Sequence, residues 1–307
     1  MLGWWMVLSS LLFAAMGVCV KFASSAFSSA ELVFWRGLVG MVFVAWLARR
    51  HRVSLRTSYA GMHAWRSVIG TFSLGAWFFA IAHLPLSVAM TLNYMSSIWI
   101  AAFLVGGALL AWAPVPGRDG RKPMPPQLGL MSLTVIAGFI GVVLLLRPDM
   151  RQGQSWAGAM GLLSGLAAAF AYLQVIALSR IGEPEIRTVF YFALGAAVFG
   201  AGWTLLSGLS PWNWLQAIWL LPIGILAALG QLCMTRAYAL ARTQAATLVV
   251  SNLQYTGIVF AAVFSVWLFG DAIDLPGAAG MALIIASGVV STVLLQRAVP
   301  KAPAQDH

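Results

Sequence analysis

Four histidines, two cysteines and one serine set between glycines are the first candidates for covalent or metal chemistry in this sequence. His51, His63, His83 and His307 fall in connectors, at the ends of apolar stretches or in the tail, and none has a spacing suited to metal ligation. Gly161-Leu-Leu-Ser164-Gly165 places a serine inside an apolar stretch, faintly as in an intramembrane serine protease, but no histidine lies at a comparable depth to activate it. Gly161 and Gly165 therefore predict close helix packing. Cys19 and Cys233 lie inside apolar stretches and predict packing residues, with no disulfide framework. No phosphate-binding glycine loop is present. Nothing in the sequence assembles a catalytic set, a metal site or a cofactor site, so the expectation is a protein that is not an enzyme.

Polar side chains within the apolar stretches are more informative. Lys21, Glu31 and Arg36 are the charges toward the outer end of the first two stretches. Each would cost about 2.5–3.5 kcal/mol at the centre of a bilayer, so each must pair or face water. Glu31 can reach Lys21 across the turn, or Arg36 along its own helix, and such a pair would fix the first helical hairpin. Alternatively Arg36 meets the carboxylate of a bound molecule, or Glu31 takes part in proton coupling. With Glu31 as the one carboxylate in the expected spans, a proton-driven cycle has few places to hold its proton, and facilitated exchange is the other option.

Uncharged polar residues form two groups. Asn93, Ser96 and Ser97 share a stripe with Ile100, with Tyr94 beside it; Thr247, Ser251, Gln254 and Tyr255 share another, with Asn252 adjacent. Such side chains can hydrogen-bond helix to helix at about 0.6–2 kcal/mol each. Two groups at corresponding places in a repeated fold point instead to the lining of a central cavity. Trp77, Tyr172, Gln174 and Gln231 lie at a suitable depth to join it. Of the 14 tryptophans, Trp4, Trp5, Trp112, Trp156, Trp212 and Trp214 mark helix ends, where aromatic belts put them regardless of function. Trp35, Trp77 and Trp99 lie deeper.

The elements that must position these residues follow from composition. Hydrophobic residues make up 61% of the 307 and charged residues 8%, far fewer charges than the roughly 25% of a soluble domain. Stretches of about 20 apolar residues recur, each long enough to cross a bilayer as a helix: Trp4–Phe22, Glu31–Leu47, His63–Ala82, Leu86–Trp112, Gln127–Leu146, Trp156–Leu178, Thr188–Ser207, Trp214–Ala239, Ala245–Phe269 and Pro276–Leu295. The run Leu2–Val20 lacks a basic leader segment and is expected to be an uncleaved first helix. Pro222 with Gly224, and Gly257, are candidate interruptions of the eighth and ninth spans. The expected fold class is an all-α polytopic membrane protein of ten transmembrane helices.

The net charge of +10 sits in short runs between spans, a membrane pattern that leaves no basic patch for nucleic acid. Arg49, Arg50, Arg52, Arg56 and Arg66 flank the second connector; Arg118, Arg121 and Lys122 occupy the fourth; Arg180 and Arg187 the sixth; Arg236 and Arg242 the eighth; Arg297 and Lys301 follow the last span. The opposite connectors carry almost none, apart from Arg147 and Arg151 in the fifth. Both termini are thus expected in the cytoplasm, which requires an even number of spans. The segment Ala113–Pro126 reads as a flexible loop.

A weak repeat runs through the chain. Ala82–Ala89 reads AHLPLSVA and Ala239–Ala246 reads ALARTQAA, followed by Thr91-Leu92 and Thr247-Leu248, while Glu31 and Glu185 each open a helix after a polar turn. A five-helix unit must re-enter the membrane upside down, which divides the chain into repeats 1–147 and 148–298 and a disordered cytoplasmic tail 299–307. Inverted repeats place a substrate site near the midplane where the halves meet.

Glu31-Leu-Val-Phe-Trp-Arg36, Ala80-Ile-Ala-His-Leu-Pro-Leu-Ser-Val-Ala89 and Ala237-Tyr-Ala-Leu-Ala-Arg-Thr-Gln-Ala-Ala246, in this order and spacing, resemble the EamA-like ten-helix branch of the drug/metabolite transporter superfamily. The acidic residue usual at the end of helix four is replaced by Ala111-Trp112, and Asp271 stands near the corresponding place in the second half. The resemblance implies an alternating-access carrier of the bacterial inner membrane, monomeric or dimeric, with helices five and ten peripheral. Relatives of this kind move amino acids, opine-type metallophores, riboflavin or S-adenosylmethionine, many outward. The expected cargo is a small polar or zwitterionic metabolite, exported, with Asn93, Tyr94, Ser97, Asn252, Gln254 and Tyr255 lining its site and Arg36 a carboxylate partner.

Overall fold

The computed structural model describes residues 2–96, 98–99, 102–103, 106, 126–146, 154–241 and 250–298. Among them are ten helices of eight residues or more: α1 (Leu2–Ala23), α2 (Ser29–Arg50), α3 (Ala60–His83), α4 (Leu86–Asn93), α5 (Pro126–Leu146), α6 (Gln154–Arg180), α7 (Glu185–Ser207), α8 (Leu220–Leu240), α9 (Thr256–Phe269) and α10 (Leu275–Ala298). Among the described residues six segments are long and apolar enough to cross a bilayer, namely α1, α2, α6, α7, the stretch Trp214–Leu240 containing α8, and Val250–Phe269 containing α9; shorter apolar stretches lie in α5 and α10. Leu205, Leu206 and Trp267 are each more than three-quarters exposed, as only a lipid-facing surface would hold them. The protein is an all-helical, multi-pass membrane protein.

Local chemistry sets several boundaries. Ser28 and Glu31 form a reciprocal capping box that starts α2, and Gly270 ends α9 in the left-handed conformation at φ 65°. Pro222 falls in the first turn of α8, where its missing N–H has no intrahelical partner to lose, so α8 runs on uninterrupted and this expected break is absent. The fourth helix departs from expectation too: α4 closes at Asn93, and Met95 N bonds to Leu92 O at 3.3 Å, an i→i+3 turn. A similar turn precedes α9, where Gln254 N bonds to Ser251 O (3.2 Å) and Tyr255 N to Asn252 O (3.1 Å), so the discontinuity falls just before Gly257. The loop Ala113–Pro126 and the tail lie outside the described residues, apart from Pro126, which opens α5.

The helices pack in pairs. The most extensive pairings are α2 with α7, α5 with α10, α1 with α8 and α3 with α6; α1–α9, α4–α6, α2–α8 and α3–α7 also meet. Advancing every label by five leaves this set unchanged. At the α2–α7 crossing a methyl on Gly37 would collide with the Ala197 backbone, and one on Gly200 with the Phe34 backbone. Only glycine lets the two main chains approach so closely.

Both ends of the α2–α7 pair are clasped by a buried carboxylate. At one end Glu31 accepts hydrogen bonds from Ser210 N (2.9 Å) and Oγ (2.6 Å), besides those from Ser28 N and Oγ (both 2.8 Å). The expected pairing of Glu31 with Lys21 or Arg36 is therefore replaced by hydrogen bonding to the connector after α7, and the Lys21 ammonium donates to the Leu84 carbonyl. At the other end Glu183 lies 2.9 Å from His63 Nε2, accepts from Thr57 Oγ1 at 2.8 Å and pairs with Arg187 at 3.1 Å. Arg187 Nε also donates to Ser54 O, and Tyr191 OH to Leu55 O. Burial alone would raise the Glu183 carboxyl, but bonds from His63 and Thr57, with the charge on Arg187, hold it below the usual carboxylate range.

Candidate functional site

One face of α3 carries His63, Arg66, Gly70, Ser73 and Trp77 at helical spacing. Its last four members line a cavity of about 50 Å³ enclosed by α1, α2, α3, α4, α6, α7 and α8. Six residues singled out from the sequence share that wall: Arg36, Trp77, Asn93, Tyr94, Tyr172 and Gln231. Phe13, Phe192, Arg66, Gly70 and Ser73 join them.

Two hydrogen bonds hold the wall in shape. Asn93 Nδ2 donates to Ser164 Oγ at 3.1 Å, and Ser73 Oγ donates to the Ser164 carbonyl at 2.8 Å, so α3 and α4 are both fastened to α6. Ser164 Oγ itself donates to Gly161 O, while Gly161 and Gly165 abut Leu92 so closely that a methyl on either would collide with it. The serine between glycines is a packing element.

Arg36 and Arg66 set the electrostatics. Each is only 3% exposed, and their guanidinium carbons lie 4.9 and 4.0 Å from the centre of the Phe192 ring. Arg66 Nη2 approaches Gln231 Oε1 at a long 3.4 Å. The Gly70 position is what admits the Arg66 guanidinium, since a methyl there would collide with Nη1 and sit 2.7 Å from the Phe192 ring. The charge pattern of the sequence puts Arg66 among the basic residues flanking a connector; in the structure it lies two turns inside α3 and points inward. The α3 stripe was the signal in the sequence that could have revealed it.

Three expected site residues lie elsewhere. Gln254 Nε2 faces Met234 Sδ of α8 at 3.8 Å, the Tyr255 hydroxyl lies against Gly288 of α10, and Asn252 is not on the cavity wall. The polar group before α9 thus packs against α8 and α10. Glu31 is in the clasp described above, away from the cavity. Ser97 lies outside the described residues. Among the described residues no group of His, Cys, Asp and Glu could hold a metal ion.

A bundle of apolar helices surrounds a small cavity that carries two buried arginines among mostly apolar side chains, an arrangement that suits a membrane transporter of a small molecule. Relatives agree. The chain is 32% identical to the pseudopaline exporter CntI of Pseudomonas aeruginosa strain UCBPP-PA14 over 94% of this chain and 92% of that one. It is 29% identical to a riboflavin transporter of Rhizobium johnstonii over 77% of this chain and 74% of the relative. The chain belongs to the family of transporters that includes the pseudopaline exporter. No protein-family model matches it. A solved crystal structure shares the fold at a TM-score of 0.56, with 18% sequence identity and 96% of both chains covered.

Proposed function

We propose that this protein is an alternating-access exporter of a small amino-acid-derived metabolite, opine-type metallophores included, and that the cargo binds in the cavity bordered by Arg36, Trp77, Asn93, Tyr94, Tyr172 and Gln231. The observation that carries it is the pair of buried arginines on that wall, which suits the carboxylates of such a compound; similarity to an exporter along nearly the whole chain supports the direction. Ten spans, as inverted repeats 1–147 and 148–298 of the EamA-like type, are supported by helix pairings that survive a shift of five labels. Such a repeat puts the cavity between the halves. The distribution of Arg and Lys supports an inner-membrane orientation with both termini in the cytoplasm. The experiment is a comparison of metabolites released by cells with and without the gene. A carboxylate-bearing amino-acid derivative missing from the medium of deficient cells is the expected result, and identical media would overturn it.

A second reading, a carrier of a flat ring system such as riboflavin, is favoured by the aromatic side chains Phe13, Trp77, Tyr94 and Tyr172 on the same wall. The same metabolite comparison separates it from the first.

A further inference from the structure

We infer that the cavity takes a ligand bearing at least two carboxylates, one for Arg36 and one for Arg66, with the Phe192 ring as their shared support. This rests on the cavity being the substrate site.

Both guanidiniums are buried, and both lie within 5 Å of one ring centre, so their separation cannot exceed the two distances combined. Among the described residues Arg36 Nε and the Nε and Nη1 of Arg66 have no hydrogen-bond partner. Among the described residues lining the cavity none is aspartate or glutamate. The buried carboxylates among the described residues are engaged elsewhere, Glu183 with His63 and Arg187, and Glu31 with Ser28 and Ser210. Cation–π contact with Phe192 offsets part of the lost hydration and neutralises nothing. Two like charges held this close in a low dielectric repel one another. A single carboxylate would leave one cation unmatched, whereas two satisfy both. A planar guanidinium also presents paired N–H donors that match a carboxylate edge, which makes arginine the fitting residue for this task. A neutral flat ring would leave both arginines bare, and the site disfavours it. Arg66 is thus a binding and specificity residue, and Gly70 is the opening through which its fork reaches the cavity.

The test uses the full-length protein in detergent at constant ionic strength, and measures ligand-induced stabilisation against thermal unfolding. Glycine, iminodiacetate and nitrilotriacetate are the probes, with one, two and three carboxylates around a single amine nitrogen. Iminodiacetate and nitrilotriacetate should bind at least about tenfold more tightly than glycine, and R36Q and R66Q should each lose at least about that factor. R66K, which keeps the charge, should retain part of the preference. Unliganded R66Q should melt no lower than the native protein, because it removes an unneutralised buried cation rather than half of an ion pair. Equal binding of glycine and iminodiacetate, or an unliganded R66Q that melts far below the native protein, overturns the inference. Export and anion recognition fail separately. Arginine-dependent preference with unchanged metabolite release removes the export function and leaves the site; export that survives both glutamine variants removes the site and leaves export.

Discussion

Asn93 and Ser164, 71 positions apart, are joined by a 3.1 Å hydrogen bond from Nδ2 to Oγ that fastens the end of α4 to α6 beside the cavity. The bond falls where α4 breaks into an i→i+3 turn. It makes the break a defined corner of the binding wall.

Asn93→Ala should therefore impair transport while leaving folded protein. One interhelical hydrogen bond in a membrane is worth about 0.6–2 kcal/mol, too little to unfold a bundle of this size. Flux in cells, set against the yield of monodisperse protein, measures both; unchanged flux would remove Asn93 from the wall.

Gly70→Ala should reduce transport by at least about tenfold, a 1.4 kcal/mol effect. The added methyl would occupy the place of Arg66 Nη1 and press on Phe192. The backbone of α3 gains helix propensity from the change, so thermal stability should hold. An active Gly70→Ala would mean that the guanidinium position is not critical.

Glu31→Gln should leave the pH dependence of transport untouched and lower thermal stability. The carboxylate accepts from Ser28 and Ser210, and an amide would turn a donor toward those donors, costing about 1–3 kcal/mol. Transport assayed from pH 6 to 8 checks this. A flattened pH profile would restore a proton-coupling role for Glu31.

The Glu183 clasp predicts an acid-sensitive stability. Its carboxyl titrates lower in the folded chain than in the unfolded one, so its contribution is complete above the unfolded value of about 4.3 and fades as pH falls through the lower folded value. Glu183→Gln should melt earlier at pH 7, by about 1–3 kcal/mol for the lost charged bonds. The gap to the native protein should narrow below pH 4. A gap constant with pH would show that Glu183 acts by shape alone.

Much was legible from the residues alone. Apolar stretches of spanning length need a bilayer whatever their neighbours, so the membrane class and the sites of most helices follow from composition and periodicity. Arg36, Trp77, Asn93, Tyr94, Tyr172 and Gln231 were also recognisable, because a polar or amphipathic residue deep in an apolar helix has to face a cavity or a partner. Tertiary structure decided which. It set Gln254 against α8 and Tyr255 against α10 and left Asn252 off the cavity wall, since the face a helix presents depends on the neighbours it packs against. It gave Glu31 to Ser210, 179 residues away, in place of the cations nearby in sequence. And it carried Arg66 from an apparent connector charge to the cavity wall, because charge counts along a chain do not register direction. Whether a buried arginine is half of a salt bridge or faces no carboxylate depends on what lies across from it, and only the tertiary structure puts Phe192 of α7 and Gln231 of α8 beside Arg66.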